Sequence, residues 1–213
     1  MTIKTFWANP YQTVLITTVA TVAGAQITLM ETIFFAFSGG QESDQGRIGG
    51  WPVLAAQKQG REIVYTLADN HALGVGDNVQ VEIDWHRRYR LMRLHFAAEL
   101  VLELVCKTLS GVDKVGAHIA QDKARIDFAW PESLAPLLPG IAAQANAIIA
   151  ADLAIHTAFD DQENERRYWE LEGFARVPCG GTHVRRTGEL GAIRLKRQNK
   201  GRGNERVEIY LSD

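Results

Sequence analysis

Residues 85–111 read WHRRYRLMRLHFAAELVLELVCKTLSG. Leu91, Leu94, Ala98, Val101, Leu102, Val105 and Leu109 recur at intervals of three and four, the period of an amphipathic helix, and Gly111 supplies a stop. The spacing predicts a helix over 88–109. The chain before it has another character. Thr, Val and Ile alternate, with Ile27, Leu29, Ile33 and Phe35 on one side and Gln26, Thr28 and Thr32 on the other. Strands are expected near 13–22, 26–36, 61–67 and 79–84, separated by turns at Ala23-Gly24 and 74–77. Several short strands at this spacing suit a small β-barrel. Beyond the helix, 116–128 reads as a strand pair, 141–158 as an alanine-rich helix, and 191–195 and 206–211 as strands. The break in character at 85/86 divides the chain into a β-module over 1–85 and a mixed domain over 86–213, an α+β protein.

Composition sets the outer bounds. At 213 residues, 46% hydrophobic and 23% charged, the chain matches an ordinary globular protein, which excludes wholesale disorder and collagen-like architectures. Two cysteines, Cys106 and Cys179, rule out a disulfide-stapled secreted scaffold and lead to the expectation of a cytoplasmic protein with reduced thiols. No charge falls between Lys4 and Glu31, but Thr13, Thr17, Thr18, Thr21 and Gln26 interrupt that stretch, so neither a membrane span nor a secretory signal is expected.

The net charge of −2 hides an uneven distribution. Residues 87–93 carry four arginines and no acid, and 185–206 carries eight Lys or Arg against Glu189 and Glu205. Most basic runs are solvated faces. A focused basic surface on a near-neutral protein also suits a partner that offers phosphates locally, such as one folded RNA.

Two residue pairs have the spacing of metal ligands. His95 and Glu99, four apart on the expected helix, leave it from one face. Cys179 and His183 have the same separation around two glycines that favour a tight loop. Sulfur, imidazole and carboxylate together suit Zn²⁺. The alternative is a core histidine whose glutamate, one turn on, is its hydrogen-bond partner. Cys106 is expected in the core.

Residues 168–193, YWELEGFARVPCGGTHVRRTGELGAI, resemble the alanyl-tRNA editing domain of alanyl-tRNA synthetases and free-standing AlaX proteins, to which a threonyl-tRNA synthetase domain is related. The match lies in Cys179-Gly180-Gly181-Thr182-His183 and in Thr187-Gly188-Glu189. Residues 116–128, GAHIAQDKARIDF, resemble the segment after the family's helix, and SGGQESDQG at 38–46 its glycine-rich motif. The resemblance implies a small barrel followed by an α+β editing domain, with helices packed on a mainly antiparallel sheet. It also implies a zinc ion held by His95, Glu99, Cys179 and His183, and hydrolysis in trans of serine or glycine esterified to tRNA(Ala). Such an activity has an energetic reason. A pocket for alanine discriminates against one missing methyl by only about 1–3 kcal/mol, and it rejects an added hydroxyl weakly, so a second, hydrolytic site is needed.

The family's helix carries His-x-x-x-His, whereas this chain has His95-Phe-Ala-Ala-Glu99. A glutamate ligand would remove a unit of positive charge from the centre and weaken it as a Lewis acid. Otherwise Glu99 orients His95 without touching the ion. Thr182 and the amides of Gly180 and Gly181 are candidates to line the pocket. Gln41 and Asp44 either approach the substrate or only shape their turn. Arg87, Arg88, Arg90, Arg185, Arg186, Arg194, Lys196, Arg197, Lys200 and Arg202 are the candidates for tRNA phosphates. Two other functions remain open: a tRNA-binding protein of editing-domain descent with impaired hydrolysis, and a metal-dependent hydrolase of another small ester.

Overall fold

The computed structural model describes residues 1–201 and 203–212, and its chain forms two compact units, Met1–Ser38 with Glu42–Tyr89, and Gly39–Gln41 with Arg90–Asp213. In the first unit the strands are β1 (Ile3–Lys4), β2 (Val14–Ala23), β3 (Gln26–Leu29), β4 (Glu31–Thr32), β5 (Gly46–Ile48), β6 (Trp51–Pro52), β7 (Ala55–Gln59), β8 (Glu62–Thr66) and β9 (Asn78–Ile83). Seven of them form one antiparallel sheet in the order β6-β5-β9-β2-β3-β8-β7. The long β2 serves two neighbours. Its first half, 14–18, pairs with β9, and its second half, 19–23, pairs with β3 across a register shift at Val19/Thr21. Where the sequence suggests a small barrel, the structure gives a curled sheet with β6 and β7 at the two ends of its order and no pairing between them among the described residues. Inward alternation fills its core with Val19, Ile27, Leu29, Ile33, Phe35, Ile48, Ile63, Tyr65, Val79 and Val81.

Asp84 starts the long helix α1 (Trp85–Thr108), accepting the Arg87 N–H on Oδ1 at 3.1 Å, which satisfies one of the donors a helix start leaves unpaired. Past the helix end Gly111 takes φ +80°, the left-handed conformation that costs glycine little. The helix is buried more widely than a single stripe, since Phe96, Ala97 and Leu100 join Leu91, Leu94, Ala98 and Val101. Cys106 is exposed, contrary to expectation. It follows the buried Val105 by one residue, a turn of about 100° that carries it off the apolar face.

The second unit continues with β10 (Asp113–Ile119), β11 (Ala124–Ala129), α2 (Leu138–Ala150), β12 (His156–Asp161), β13 (Arg166–Leu171), β14 (Ala175–Pro178), β15 (Ile193–Gly201) and β16 (Asn204–Leu211). One antiparallel sheet runs β10-β11-β16-β15 and another β12-β13-β14. Helix α2 is fastened to β15 by Asn146, which accepts the Ile193 N–H and donates to its carbonyl, both at 2.9 Å. The fold is α+β and mainly antiparallel. The second helix ends at Ala150, eight residues before the expected 158, and His156–Asp161 is a strand. Asp152, at φ +47°, turns the chain out of the helix. The 156–178 strands are missing from the sequence reading because their outward positions carry charge and their inward positions include Arg167. Among the described residues no helix is long and apolar enough to cross a membrane.

Candidate metal centre

The centre lies within the second unit. Helix α1 supplies His95, and the loop after β14 supplies Cys179 and His183. The ligand atoms of these three lie within 4.8 Å of one another, and both histidines are buried. Two glycines let the loop fold back: the Gly181 N–H points at Cys179 Sγ at 3.5 Å, and the Cys179 N–H is anchored on the Arg167 carbonyl at 2.8 Å. Gly181 is required for space. A Cβ there would lie 2.0 Å from His95 Cε1, whereas one on Gly180 would meet nothing.

His95 is held from both ends. Its Nδ1 lies 2.5 Å from Gln41 Oε1, and its Nε2 lies 3.3 Å from Cys179 Sγ and 3.4 Å from Glu99 Oε1. The carboxamide oxygen accepts from Nδ1–H, which leaves Nε2 facing the sulfur. Gln41 Nε2 also donates to Thr182 Oγ1 at 2.9 Å. His183 differs, because both of its ring nitrogens are buried without a hydrogen-bond partner. Two orphaned nitrogens on one buried imidazole are costly unless something else occupies them, and a cation fits that requirement.

The charges respond to one another. Burial opposes ionisation of Cys179, yet His95 and His183 overcome it and bring its thiol down to about 5. Burial likewise disfavours charge on His95, but the Cys179 thiolate and Glu99 raise it to about 10. Cys179 is thus already in the thiolate form that binds a metal, whereas a cation would have to displace the proton that the thiolate and Glu99 hold on His95.

Glu99 adjoins this group. Oε1 faces His95 and Cys179 Sγ, the latter at 3.9 Å, while Oε2 accepts the Trp169 indole N–H at 3.2 Å. Trp169 gave no signal in the sequence, where its strand was not recognised. Arg167 was also missed. It is buried on the inward side of β13, and the thiolate of Cys179 favours its charge against the effect of burial. Both residues line up with their strand's buried positions, where only the indole N–H or guanidinium sets them apart from core. A cavity of about 550 Å³ opens at Cys179, lined also by Asp160, Glu165, Arg166, Arg167, Pro178 and Gly180.

Comparison with known proteins bears on this arrangement. The model of the threonyl and alanyl tRNA synthetase second additional domain matches residues 170–208. An alanyl-tRNA editing protein AlaX-M of Pyrococcus horikoshii is 34% identical across 99% of this chain and 98% of its own length. Another of that name from Methanosarcina mazei is 30% identical across 89% of this chain and 88% of its own. An alanine–tRNA ligase of Methanococcus aeolicus is 28% identical over 95% of this chain but only 25% of its own length.

The chain belongs to the AlaX-M family of alanyl-tRNA editing proteins.

Within that family's motifs the structure separates chemistry from support. Thr187-Gly188-Glu189 is engaged in hydrogen bonds to the backbone and to Asp152. Glu189 Oε1 accepts the N–H groups of Arg185 and Arg186 at 2.8 and 3.1 Å, and Thr187 Oγ1 bonds to Ile148 O and the Leu153 N–H, each at 2.9 Å. The triplet ties the far end of the CGGTH loop to the end of α2. Asp44 takes the structural alternative. Both carboxylate oxygens are spent on Arg88, and one also accepts the Phe35 N–H at 2.7 Å, so nothing of it is left for a substrate.

The same ion pair removes Arg88 from the phosphate contacts, since its side chain is 0% exposed. Arg87 pairs with Glu42, Arg186 with Asp152 and Arg197 with Glu205, while Arg90 donates to the Gln121 carbonyl. Arg185, Lys196 and Lys200 are exposed, and Arg202 lies outside the described residues.

Proposed function

We propose that this chain is a hydrolase that removes serine or glycine from mischarged tRNA(Ala) in trans, with Zn²⁺ held by His95, Cys179 and His183. The observation that carries the reading is the buried imidazole of His183, whose two unpartnered nitrogens lie beside a thiolate and a second imidazole in a chain of the editing family. One sulfur and two nitrogens leave a coordination position open, the donor set of a catalytic rather than a closed structural zinc site. Bound there, the ion would supply Lewis-acid stabilisation of charge developing on the ester.

The chain's own groups do the rest. Gln41 fixes the tautomer of His95 and holds the Thr182 hydroxyl, so a helix residue and a loop residue are set by one carboxamide. Thr182 Oγ1, accepting from Gln41, keeps its own proton to donate toward a substrate hydroxyl or amine. Gly181 N–H points at the Cys179 sulfur, and Gly180 lines the cavity beside it. Glu99 orients His95 and, as a carboxylate whose proton affinity its neighbours hold down to about 2, stays ionised at neutral pH. Its charge replaces the neutral imidazole of the family's usual helix motif without taking that imidazole's place on the ion.

The test is deacylation of Ser-tRNA(Ala), Gly-tRNA(Ala) and Ala-tRNA(Ala) at micromolar protein, with metal content measured on the wild type and on Cys179→Ala. Acceleration on the serine or glycine ester with the alanine ester spared, and loss of stoichiometric zinc in the variant, are expected. Equal rates on all three esters would end the proofreading reading.

A further inference from the structure

The sheet β10-β11-β16-β15 has a second face that the editing chemistry does not use. Along β16, Val207, Ile209 and Leu211 point into the core while Arg206, Glu208 and Tyr210 point away. The register continues this outward set sideways. Arg194 and Lys196 of β15 lie opposite Tyr210 and Glu208, and Arg125 and Asp127 of β11 lie opposite Glu208 and Arg206. Lys123 completes it, 2.5 Å from Glu208.

Five cations on this face thus meet two carboxylates. Asp127 is shared by Arg125 and Arg206, with Arg206 Nε at 2.6 Å. Glu208, almost fully buried beneath its neighbours, takes Lys123 and the Tyr210 hydroxyl, the latter at 2.9 Å, and feels the charge of Lys196. The carboxylates therefore act as struts that fix the cations in a plane and leave a surplus of about three positive charges. Tyr210 is flanked by Arg194 of β15, at 4.0 Å from its ring centroid, and by Lys123, just before β11, at 5.8 Å. A ring engaged in this way is no platform for a nucleobase, so the face reads charge and spacing rather than base identity. Neighbouring outward positions repeat every ~6.7 Å along a strand and ~4.8 Å across strands, a grid able to meet successive backbone phosphates.

We propose that this sheet face docks the phosphate backbone of an RNA duplex. The proposal rests on the editing function in one respect: the duplex would be the stem of the tRNA whose 3′ end reaches the metal centre. It moves the contact away from several arginines singled out in the sequence and brings in Arg206, at the end of the basic run, together with Lys123 and Arg125, which come from an earlier segment of the chain.

The test uses the full chain, a fluorescent RNA hairpin and the variant Arg194→Gln/Lys196→Gln, which removes two exposed cations and leaves Glu208 paired with Lys123. A control, Lys58→Gln/Arg61→Gln, makes the same charge change in the first unit. Each lost phosphate contact flattens the plot of log Kd against log[salt] by about 0.7–0.9. The sheet variant is expected to lose about 1.6 from that slope, and about 40-fold in affinity at 0.1 M salt, with the control unchanged. Equal slopes for wild type, variant and control overturn the proposal. So does binding of poly-glutamate as tight as that of the hairpin, which would give the face to an acidic protein. Hydrolysis of a short seryl ester of adenosine, run in parallel, separates the two readings: a wild type that cleaves no ester but shows the expected slopes loses the editing function and keeps this surface.

Discussion

Gly181→Ala tests the metal centre at its tightest point. The added methyl carbon would sit 2.0 Å from His95 Cε1, 2.6 Å from His95 Nδ1 and 3.0 Å from Gln41 Oε1. Carbon atoms rest at about 3.5–4.0 Å, so the imidazole must retreat by roughly 1.5 Å or the loop must lift by as much. Metal–ligand distances tolerate about 0.2 Å, and His95 cannot absorb the shift while keeping its bond to Gln41. Overpacking of this kind costs about 1–3 kcal/mol, which for a chain of this length lowers Tm by roughly 2–12 °C. The larger consequence falls on the ion: zinc retained after dialysis should drop well below one per chain, and deacylation with it. Gly180→Ala, one residue away and facing open space, should hold its zinc and melt within about 2 °C of wild type. Metal analysis, calorimetry and deacylation of Ser-tRNA(Ala) on the two variants side by side decide it. A Gly181→Ala protein with full zinc and full activity would refute the close approach of loop and helix from which the site is built.

Three further outcomes are expected. Gln41→Leu strips partners from His95 Nδ1, the Thr182 N–H and the Thr182 hydroxyl together, so zinc affinity should fall about 10- to 100-fold, as a competing chelator titration would show, while the fold survives. Arg88→Met leaves Asp44 buried and uncompensated, which costs about 3–5 kcal/mol in urea unfolding, yet the salt dependence of RNA binding should not change because Arg88 never reaches solvent. Glu205 is held below the ordinary carboxylate value by the Arg197 guanidinium. A depressed folded pKa stabilises above the unfolded value and fades as pH falls through the folded one. Glu205→Gln should therefore be less stable than wild type at pH 7, and the gap should close as pH drops below 4.5; a gap that persists at pH 2 would mean that packing, not charge, is what Glu205 contributes.

Much of this was legible in the sequence, and for local reasons. The long helix showed because its apolar period runs unbroken over six turns and Gly111 ends it. The cluster of His95, Cys179 and His183 showed, with Glu99 beside it, because four-residue spacing puts His95 and Glu99 on one helix face and because two glycines between Cys179 and His183 imply a loop. Legibility failed where partners come from afar. Nothing adjacent to Asp44 announces that Arg88 will bury itself against it, so an arginine in a basic run looked like a surface cation. The β12–β14 sheet was hidden for a related reason. Its inward positions carry Arg167, whose neighbour Cys179 is known only once the chain folds.

Gln41 reaches His95 from a distant part of the chain. The chain near it, Gly39–Gln41, belongs to the compact unit of residues 90 and beyond, although its neighbours on both sides belong to the first. There the Ile119 N–H donates to Gly40 O at 2.8 Å, Gln41 bridges to β10 in parallel, and a Cβ on Gly40 would come within 2.7 Å of Ala117 O. Glycine at 40 is thus what lets a short stretch lie against β10 and deliver a carboxamide to His95. A chain beginning at residue 86 keeps all three ligands but loses the group that sets the tautomer of one of them. It should still bind zinc, more weakly, and should lose hydrolysis out of proportion to the metal it retains. Equal losses of metal and rate would place Gln41's role in binding the ion alone.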